Sequence, residues 1–492
     1  MLNRRLFLSG SAAAITALTL PSSFAQALIH DEMGAVDRWE RLRGIAGDLL
    51  LRPEDTGFAN AALPNNLRFE AVRPEGVVYC NSPQMVADVI NWCRDNDMPF
   101  AIRGGGHSYA GFSTSHGLVI DMARMDEIAI DAETGVATIG AGAINYEIYA
   151  ALDAAGRTTT HGRCPSVGIA GFLMGGGIGF NMRRFGMACD SLISAEIVTA
   201  DGQIRTCSET ENADLFWALR GGAGGNFGVA TSFTLQTHPA ETSITVFRIV
   251  WRDKVLDVAS ALFETIDAAP DTMGTRVAFG GINPTMTGRG RQVPLTLLGQ
   301  FAGSKEDFLA LMAPVLAVGE PDFADIQEAP YWQGQDFLAE EGEPAYYRER
   351  STFHTSVPDR EFLAQAIDHM ARWPGTGASA NLVFFQTGAA VNAVASDATA
   401  FVHRDSRFLS TANLSWSKDD TARPDVVRAS TDWQDELYAL VTASDTKGAF
   451  QNFPDPSLTD WRERYYGENL ARLSAVKAAV DPTNVFRFGQ SI

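Results

Sequence analysis

His107 follows three consecutive glycines in the stretch "RGGGHSYAG", and Cys164 stands in "GRCPSVGIAG", at the head of a second glycine-dense stretch. Glycine runs let backbone amides approach an anion closely, because no Cβ intervenes. A phosphate-bearing ligand suits the glycines; the imidazole and the thiol need a separate purpose. Both are nucleophiles, able to bond to an electrophilic carbon. Taken singly, a turn-capping histidine and a buried thiol are the plainer explanations. As a pair in glycine loops they point to covalent attachment of one cofactor.

The elements that must hold these loops can be read from spacing. Ser82 and Pro83 have the character of an N-cap and first helical position, and Val86, Val89, Ile90 and Cys93 follow at helical spacing. "FAIRGGG" reads as a short strand entering the first loop. Residues 118–143 give two or three strands turning at Glu133 to Gly135, and a helix after them closes at Gly156. A third glycine cluster, "LRGGAGGNFGVATSF", follows a helix at Ala213 to Leu219. Several glycine loops at strand ends suggest backbone converging on one extended ligand. From Glu241 the clusters stop, and "TSITVFRIVW", "VPLTLLGQF", "SANLVFFQTG" and "RFLSTANLSW" alternate as strands of an antiparallel sheet, interrupted by helices such as "REFLAQAIDHMARW". The tail predicts a helix with Leu470, Leu473, Val476 and Val480 on one face, stopped by Pro482.

The chain has 492 residues, long enough for two domains, and 46% of them are apolar. Its formal net charge of −20 argues against phosphate backbones and anionic membranes as partners. The first 27 residues combine Arg4-Arg5, a short apolar run and an Ala-x-Ala end at Ala25 to Ala27. That is the pattern of a twin-arginine signal peptide, implying a periplasmic or secreted protein; an N-terminal anchor is the alternative, but the run is short for a span. Five cysteines, Cys80, Cys93, Cys164, Cys189 and Cys207, leave at least one outside any disulfide.

"GGGIGF" and "GGAGGNFG" resemble fragments of a nicotinamide-binding motif, but no βαβ unit with a following acidic residue accompanies them. FAD suits better: its pyrophosphate needs several glycine loops, and its ring accepts an imidazole at the 8α-methyl and a thiolate at position 6. No metal ligand set stands out.

"RGGGHSYAG", "GRCPSVGIAG", "GGGIG", "DLFWALRGGAGGNFGVATSF" and the tail "YYGENLARLSAVKAAVDPTNVFRFGQSI" together resemble the berberine bridge enzyme-like family of FAD-linked oxidases, the bicovalent branch of the vanillyl-alcohol oxidase fold. The resemblance spans nearly all of the mature chain. It implies an α+β fold: a signal peptide at 1–27, a two-part PCMH-type FAD-binding domain at 28–240, a substrate domain at 241–440 with an antiparallel β-sheet covered by helices, and a C-terminal segment at 441–492 returning to the FAD domain. It implies FAD bonded to both His107 and Cys164. Arg103, Gly104, Gly105, Gly106 and Ser108 then cradle the pyrophosphate. Gly168, Gly171, Gly175, Gly176, Gly177, Gly179, Asn226, Phe227, Gly228 and Val229 line the rest, and Val167 takes the position that gates oxygen at the flavin.

The match fails at the usual catalytic tyrosines. One position is Ile178, and Phe450 and Phe453 in "FQNF" replace the other two; Ala393 stands near where some members place an acidic base. None of these side chains accepts a proton. Tyr109 matches a family tyrosine and is the best aligned polar candidate, with Gln386 and Asn452 as further catalytic candidates. His354, Tyr346 and Tyr347 come from the substrate domain; His403 matches a motif without a fixed role. The apolar floor of Ile178, Phe450 and Phe453, with His354, frames a pocket suited to a small phenol, amine or secondary metabolite more than to a sugar. The expected activity is hydride transfer from a small organic substrate to FAD, with O2 reduced to H2O2. Alternatives are a sugar oxidase with a different base, a dehydrogenase with another electron acceptor, and a flavin-retaining binding protein.

Overall fold

The computed structural model describes residues 38–340 and 342–492, so the signal-peptide reading lies outside the described residues. The first sheet has four strands, β1 (Leu50–Leu51), β2 (Gly76–Tyr79), β3 (Phe100–Arg103) and β4 (Leu118–Asp121), in the order β1-β2-β4-β3. The helix Pro83–Asp95 begins as its residues require: Ser82 Oγ accepts from Met85 N at 3.3 Å, and Pro83 occupies the first turn. Val86, Val89, Ile90 and Cys93 are its buried face. β3 ends at Arg103, where the first glycine loop starts.

Next come β5 (Ile128–Ile130), β6 (Val136–Gly140), β7 (Arg157–Thr158), β8 (Leu192–Val198), β9 (Ile204–Ser208), β10 (Val229–Gln236) and β11 (His238–Pro239). Five of them form a sheet in the order β5-β6-β10-β8-β9, and β7 pairs with β11. The helix Asn145–Ala154 is followed by Gly156 at a φ of 63°, the left-handed stop that glycine adopts most readily.

The second region is an eight-stranded sheet of β12 (Ile244–Trp251), β13 (Met273–Gly280), β14 (Leu295–Phe301), β15 (Phe323–Ala329), β16 (Tyr346–His354), β17 (Ala380–Gln386), β18 (Phe408–Trp416) and β19 (Thr446–Lys447), in the order β15-β12-β14-β13-β17-β18-β16-β19. All its pairings are antiparallel. Alternate residues give it two unlike faces. Val277, Phe279, Leu295, Leu297, Leu382, Phe384 and Leu414 pack under the helices Val255–Asp267, Lys305–Val318, Arg360–Ala371 and Pro424–Thr442. The other face, with Arg276, Phe385 and Glu349, looks toward the glycine loops.

The tail returns to the first region as expected. In the helix Leu470–Val480, Leu473 and Val476 join the core of the five-stranded sheet. Lys477 is buried behind them, its Nζ donating to Asn226 O (2.8 Å), Phe486 O (2.6 Å) and Asp481 Oδ2 (2.7 Å). No disulfide joins any of the five cysteines, and no helix among the described residues is long and apolar enough to cross a membrane.

Candidate functional site

The loops bearing His107 and Cys164 touch. A Cβ on Gly105 would collide with the backbone of Gly168, and one on Gly168 with that of Gly105, so only glycine at both positions allows the approach. Between the nucleophiles lies Ser166. Its Oγ donates to Gly342 O at 3.0 Å, which uses its one proton, so it accepts from His107 Nε2 at 2.9 Å. That assigns the imidazole its Nε2–H tautomer and leaves Nδ1 with the lone pair. Cys164 Sγ is 3.4 Å from the same Oγ. Burial pulls the His107 pKa down to about 4, so the ring is neutral near pH 7. Sequence reasoning missed Ser166, because a serine between a cysteine and a glycine run has no signature of its own.

Both loops open on a cavity of about 750 Å3. Gly104 to Tyr109, Gly162 to Cys164, Val167, Gly168, Ala223 to Gly225, Phe450 to Pro454 and Val485 to Gln490 line it. Gly104, Gly171 and Gly224 test its fit to FAD. None has a positive φ, and a Cβ on any of them would meet no protein atom closer than 3.4 Å. Neither backbone conformation nor packing calls for glycine there; the side-chain space belongs to the cavity, as a backbone cradle for a pyrophosphate requires. The residues present fit the cofactor.

Several residues expected to line the cofactor do other work. Arg103 lies behind the loop, its Nε donating to Ser113 O (3.1 Å) and its Nη1 reaching Ala61 O and, at 3.7 Å, Asp121. Gly175, Gly176 and Gly177 make room for Asn452, Phe401 and Ala188 respectively. Asn226, Phe227, Gly228 and Val229 lie beneath the lining. Asn226 anchors the tail at two points, accepting from Lys477 through its carbonyl and from Ile492 N, at 3.0 Å, through its side chain. Phe227 and Val229 are core, and a Cβ on Gly228 would press on Val198 O. Ala223, Gly224 and Gly225 hold the lining position instead. Gly179 does line the cavity, and there a Cβ would strike His161 O. Ser108 and Val167 lie in the lining as expected.

The expected floor is present. Ile178, Phe450, Phe453 and Phe385 form one apolar cluster at the cavity. Tyr109 stands against Phe453 and Tyr347 with ring centroids 5.0 and 5.2 Å away. Burial, then Glu349, pushes its phenol well above the usual value, so it stays protonated. Gln386 borders the cavity, but its amide is engaged by Thr275 Oγ1 (3.0 Å) and by Ile266 O of the covering helix. Asn452 lines the cavity, donates to Phe172 O at 2.9 Å and packs where a Cβ on Gly175 would stand. His354 is outside the pocket: it lies on the helix-covered face, 2.8 Å from Ser410 Oγ and beside Phe384. Tyr346 shares that face, bonded to Glu70 at 2.6 Å, and His403 stacks on Phe353 at 4.2 Å.

The missed groups are charged. Arg163 and Glu340 line the cavity as an ion pair. Burial would raise the Glu340 carboxyl, but Arg163 and Arg276 outweigh it and hold it below the usual value. Glu349 is buried on β16 and accepts from Asn413 Nδ2 at 2.6 Å; burial raises its carboxyl. Arg276 stands on β13 opposite Phe385. Arg163 and Arg276 are far along the chain from Glu340 and Glu349, so no local motif joins the four.

Comparison with known proteins agrees with this geometry. The FAD binding domain family matches residues 74–208, the span holding His107 and Cys164, and the berberine and berberine-like family matches 449–492, the tail. The FAD-linked oxidoreductase YgaK of Bacillus subtilis is 33% identical over 458 residues, covering 91% of this chain and 97% of its own. The glucooligosaccharide oxidase of Sarocladium strictum is 30% identical over 470 residues, covering 90% and 91%. The solved structure of a xylooligosaccharide oxidase from Myceliophthora thermophila, in complex with xylobiose, superposes with a TM-score of 0.78 at 27% identity, over 92% of this chain and 98% of that one. Matched along its length, with the two glycine loops and the returning tail in one site, the chain belongs to the berberine bridge enzyme-like family of FAD-linked oxidoreductases.

Proposed function

We propose that this chain is an oxidase with FAD bonded to both His107 and Cys164, taking a hydride from a substrate C–H and returning the electron pair to O2 as H2O2. The observation that supports it most is Ser166, whose hydroxyl reaches both nucleophiles and leaves His107 Nδ1 as the attacking nitrogen. FAD supplies the hydride acceptor and the reaction with oxygen. The chain's residues do the rest. Ile178, Phe385 and Phe453 present an apolar surface for the substrate and keep water from it. Tyr109, a protonated phenol, offers its hydroxyl as a hydrogen-bond partner. Glu340, ionised beside Arg163, is the proton acceptor of an oxidised hydroxyl.

A second reading, oxidation of an oligosaccharide, is favoured by the names of the two sugar-oxidising relatives and by Asn381 and Asn413, paired on the sheet face that carries Glu349. Export through the pattern at residues 1–27 is part of the proposal, and cell fractionation checks it.

Acid-precipitated protein stays yellow under this reading. His107→Ala and Cys164→Ala each keep colour through the remaining bond, and only the double variant releases free flavin. Wild-type protein that loses its colour on precipitation refutes the double tether, and a reduced flavin that fails to yield peroxide in air refutes the oxidase assignment.

A further inference from the structure

Arg276 feels the carboxylates of Glu340 and Glu349 at a distance but makes no hydrogen bond or ion pair among the described residues. Its Nε is buried with no hydrogen bond, and its guanidinium enters no ion pair among those residues. β13 and β17 place it directly across from Phe385, on the face opposite core residues Val277 and Phe279. Such cross-strand partners keep their Cβ atoms about 4.5–5.5 Å apart. Phe385 lines the cavity and packs with Ile178 and Phe453, and two of the charges that act on the guanidinium, Arg163 and Glu340, line the same cavity.

The charges around it do not cancel it. Glu340 is matched by Arg163 in their ion pair. Glu349 is held by Asn413 and shifted by burial toward its neutral form. Arg248, exposed, flanks Leu298 from the other side, adding a second positive charge to the same sheet face. Burial, then Arg163, pulls the Arg276 pKa down to about 10, which leaves it charged near neutrality. A partly buried cation with an unmet buried donor is costly unless a ligand supplies the acceptor. The planar guanidinium fork matches a carboxylate in two parallel hydrogen bonds.

We propose that Arg276 binds a carboxylate on the substrate, whose apolar ring or sugar face rests on Ile178, Phe385 and Phe453. The oxidisable C–H rests on the oxidase reading above; the binding does not. Isothermal titration of the purified protein reads binding whether or not turnover occurs. The probes are 4-(hydroxymethyl)benzoate against benzyl alcohol, and cellobiuronate against cellobiose. In one pair or the other the acid binds roughly tenfold or more tightly than its neutral counterpart. Arg276→Gln removes that preference, and Arg276→Lys keeps part of it. Preference in the first pair identifies an aromatic acid, and in the second an acidic sugar. With a probe that reduces the flavin, the loss in Arg276→Gln falls on KM more than on kcat. Equal affinities within both pairs, or a preference that survives in Arg276→Gln, overturn the proposal; should that variant fail to fold, an undiminished preference in Arg276→Lys overturns it. Protein that loses its flavin on acid precipitation defeats the double tether and leaves the calorimetric result standing.

Discussion

Ser166 Oγ is within hydrogen-bond reach of both candidate tethering atoms, so its effect is on how they are poised. In Ser166→Ala the imidazole loses its tautomer partner, and covalent attachment to apoprotein mixed with FAD slows by roughly tenfold, the kinetic equivalent of one lost hydrogen bond. Flavin fluorescence of the denatured protein band, followed over time, measures it, and Ser166→Thr restores most of the rate. Glu340→Gln acts on turnover. Anaerobic reduction of the flavin by a hydroxyl-bearing substrate falls by roughly 10²–10⁴, the usual contribution of a positioned base. Because Arg163 and Arg276 hold the Glu340 carboxyl below its usual value of 4.5, wild-type reduction persists below that pH and is lost as pH falls through the folded value. A rate that already fails well above pH 4.5 assigns the base to another group.

The glycine loops divide by cause. Gly168 is glycine because Gly105 lies against it, whereas Gly171 has no protein atom within 4 Å of its missing Cβ. Gly168→Ala therefore strains the contact that holds the two loops together, costing about 1–3 kcal/mol and lowering the unfolding temperature even without flavin. Gly171→Ala leaves the apoprotein's unfolding temperature unchanged and lowers its FAD content, because the methyl enters the cavity. Similar melting temperatures for the two apoproteins would contradict the distinction. At this scale most elements are legible in the sequence: the Ser82-Pro83 start, the Gly156 stop and the alternating strands of the second sheet all follow from local rules. The faces of the strands are not. Local patterning puts Gln386 and His354 at the pocket; Gln386 borders it at the end of β17 but spends its amide on Thr275 and Ile266 of the covering helix, and His354 lies wholly on the helix-covered face. Only the helices laid over the sheet decide which parity is the core.

Over the whole molecule, three buried histidines couple stability to pH. Burial lowers His161 and His354 to about 4 and His403 to about 3, from a usual 6.5. Between those values and about 6.5 the unfolded chain binds more protons than the folded one, so stability is full above about pH 6.5 and declines as pH falls toward about 4. Thermal unfolding from about pH 7.5 to about 5.5, above most carboxylate titration, should show a falling midpoint. A flat profile would contradict the burial of these rings. The tail adds a long-range clamp: Lys477 bonds Asn226 and Phe486 from one buried ammonium, holding the cavity-lining stretch after Asp481 against the third glycine cluster. Lys477→Met is expected to lower both unfolding temperature and FAD retention, while Arg462→Met, exposed on the same tail, changes neither.

The sequence by itself determined the cofactor class, the two candidate nucleophiles, the order of the elements and the apolar character of Ile178, Phe450 and Phe453, because each rests on residue type or short-range spacing. Tertiary structure alone decided the rest. Ser166 meets His107 across two loops, Asn226 to Val229 turn inward as an anchor, and Arg163, Arg276 and the neighbouring Glu340 and Glu349 reach one region from three distant segments. Burial and unpaired charge are properties of what the chain brings together, and no local pattern encodes them.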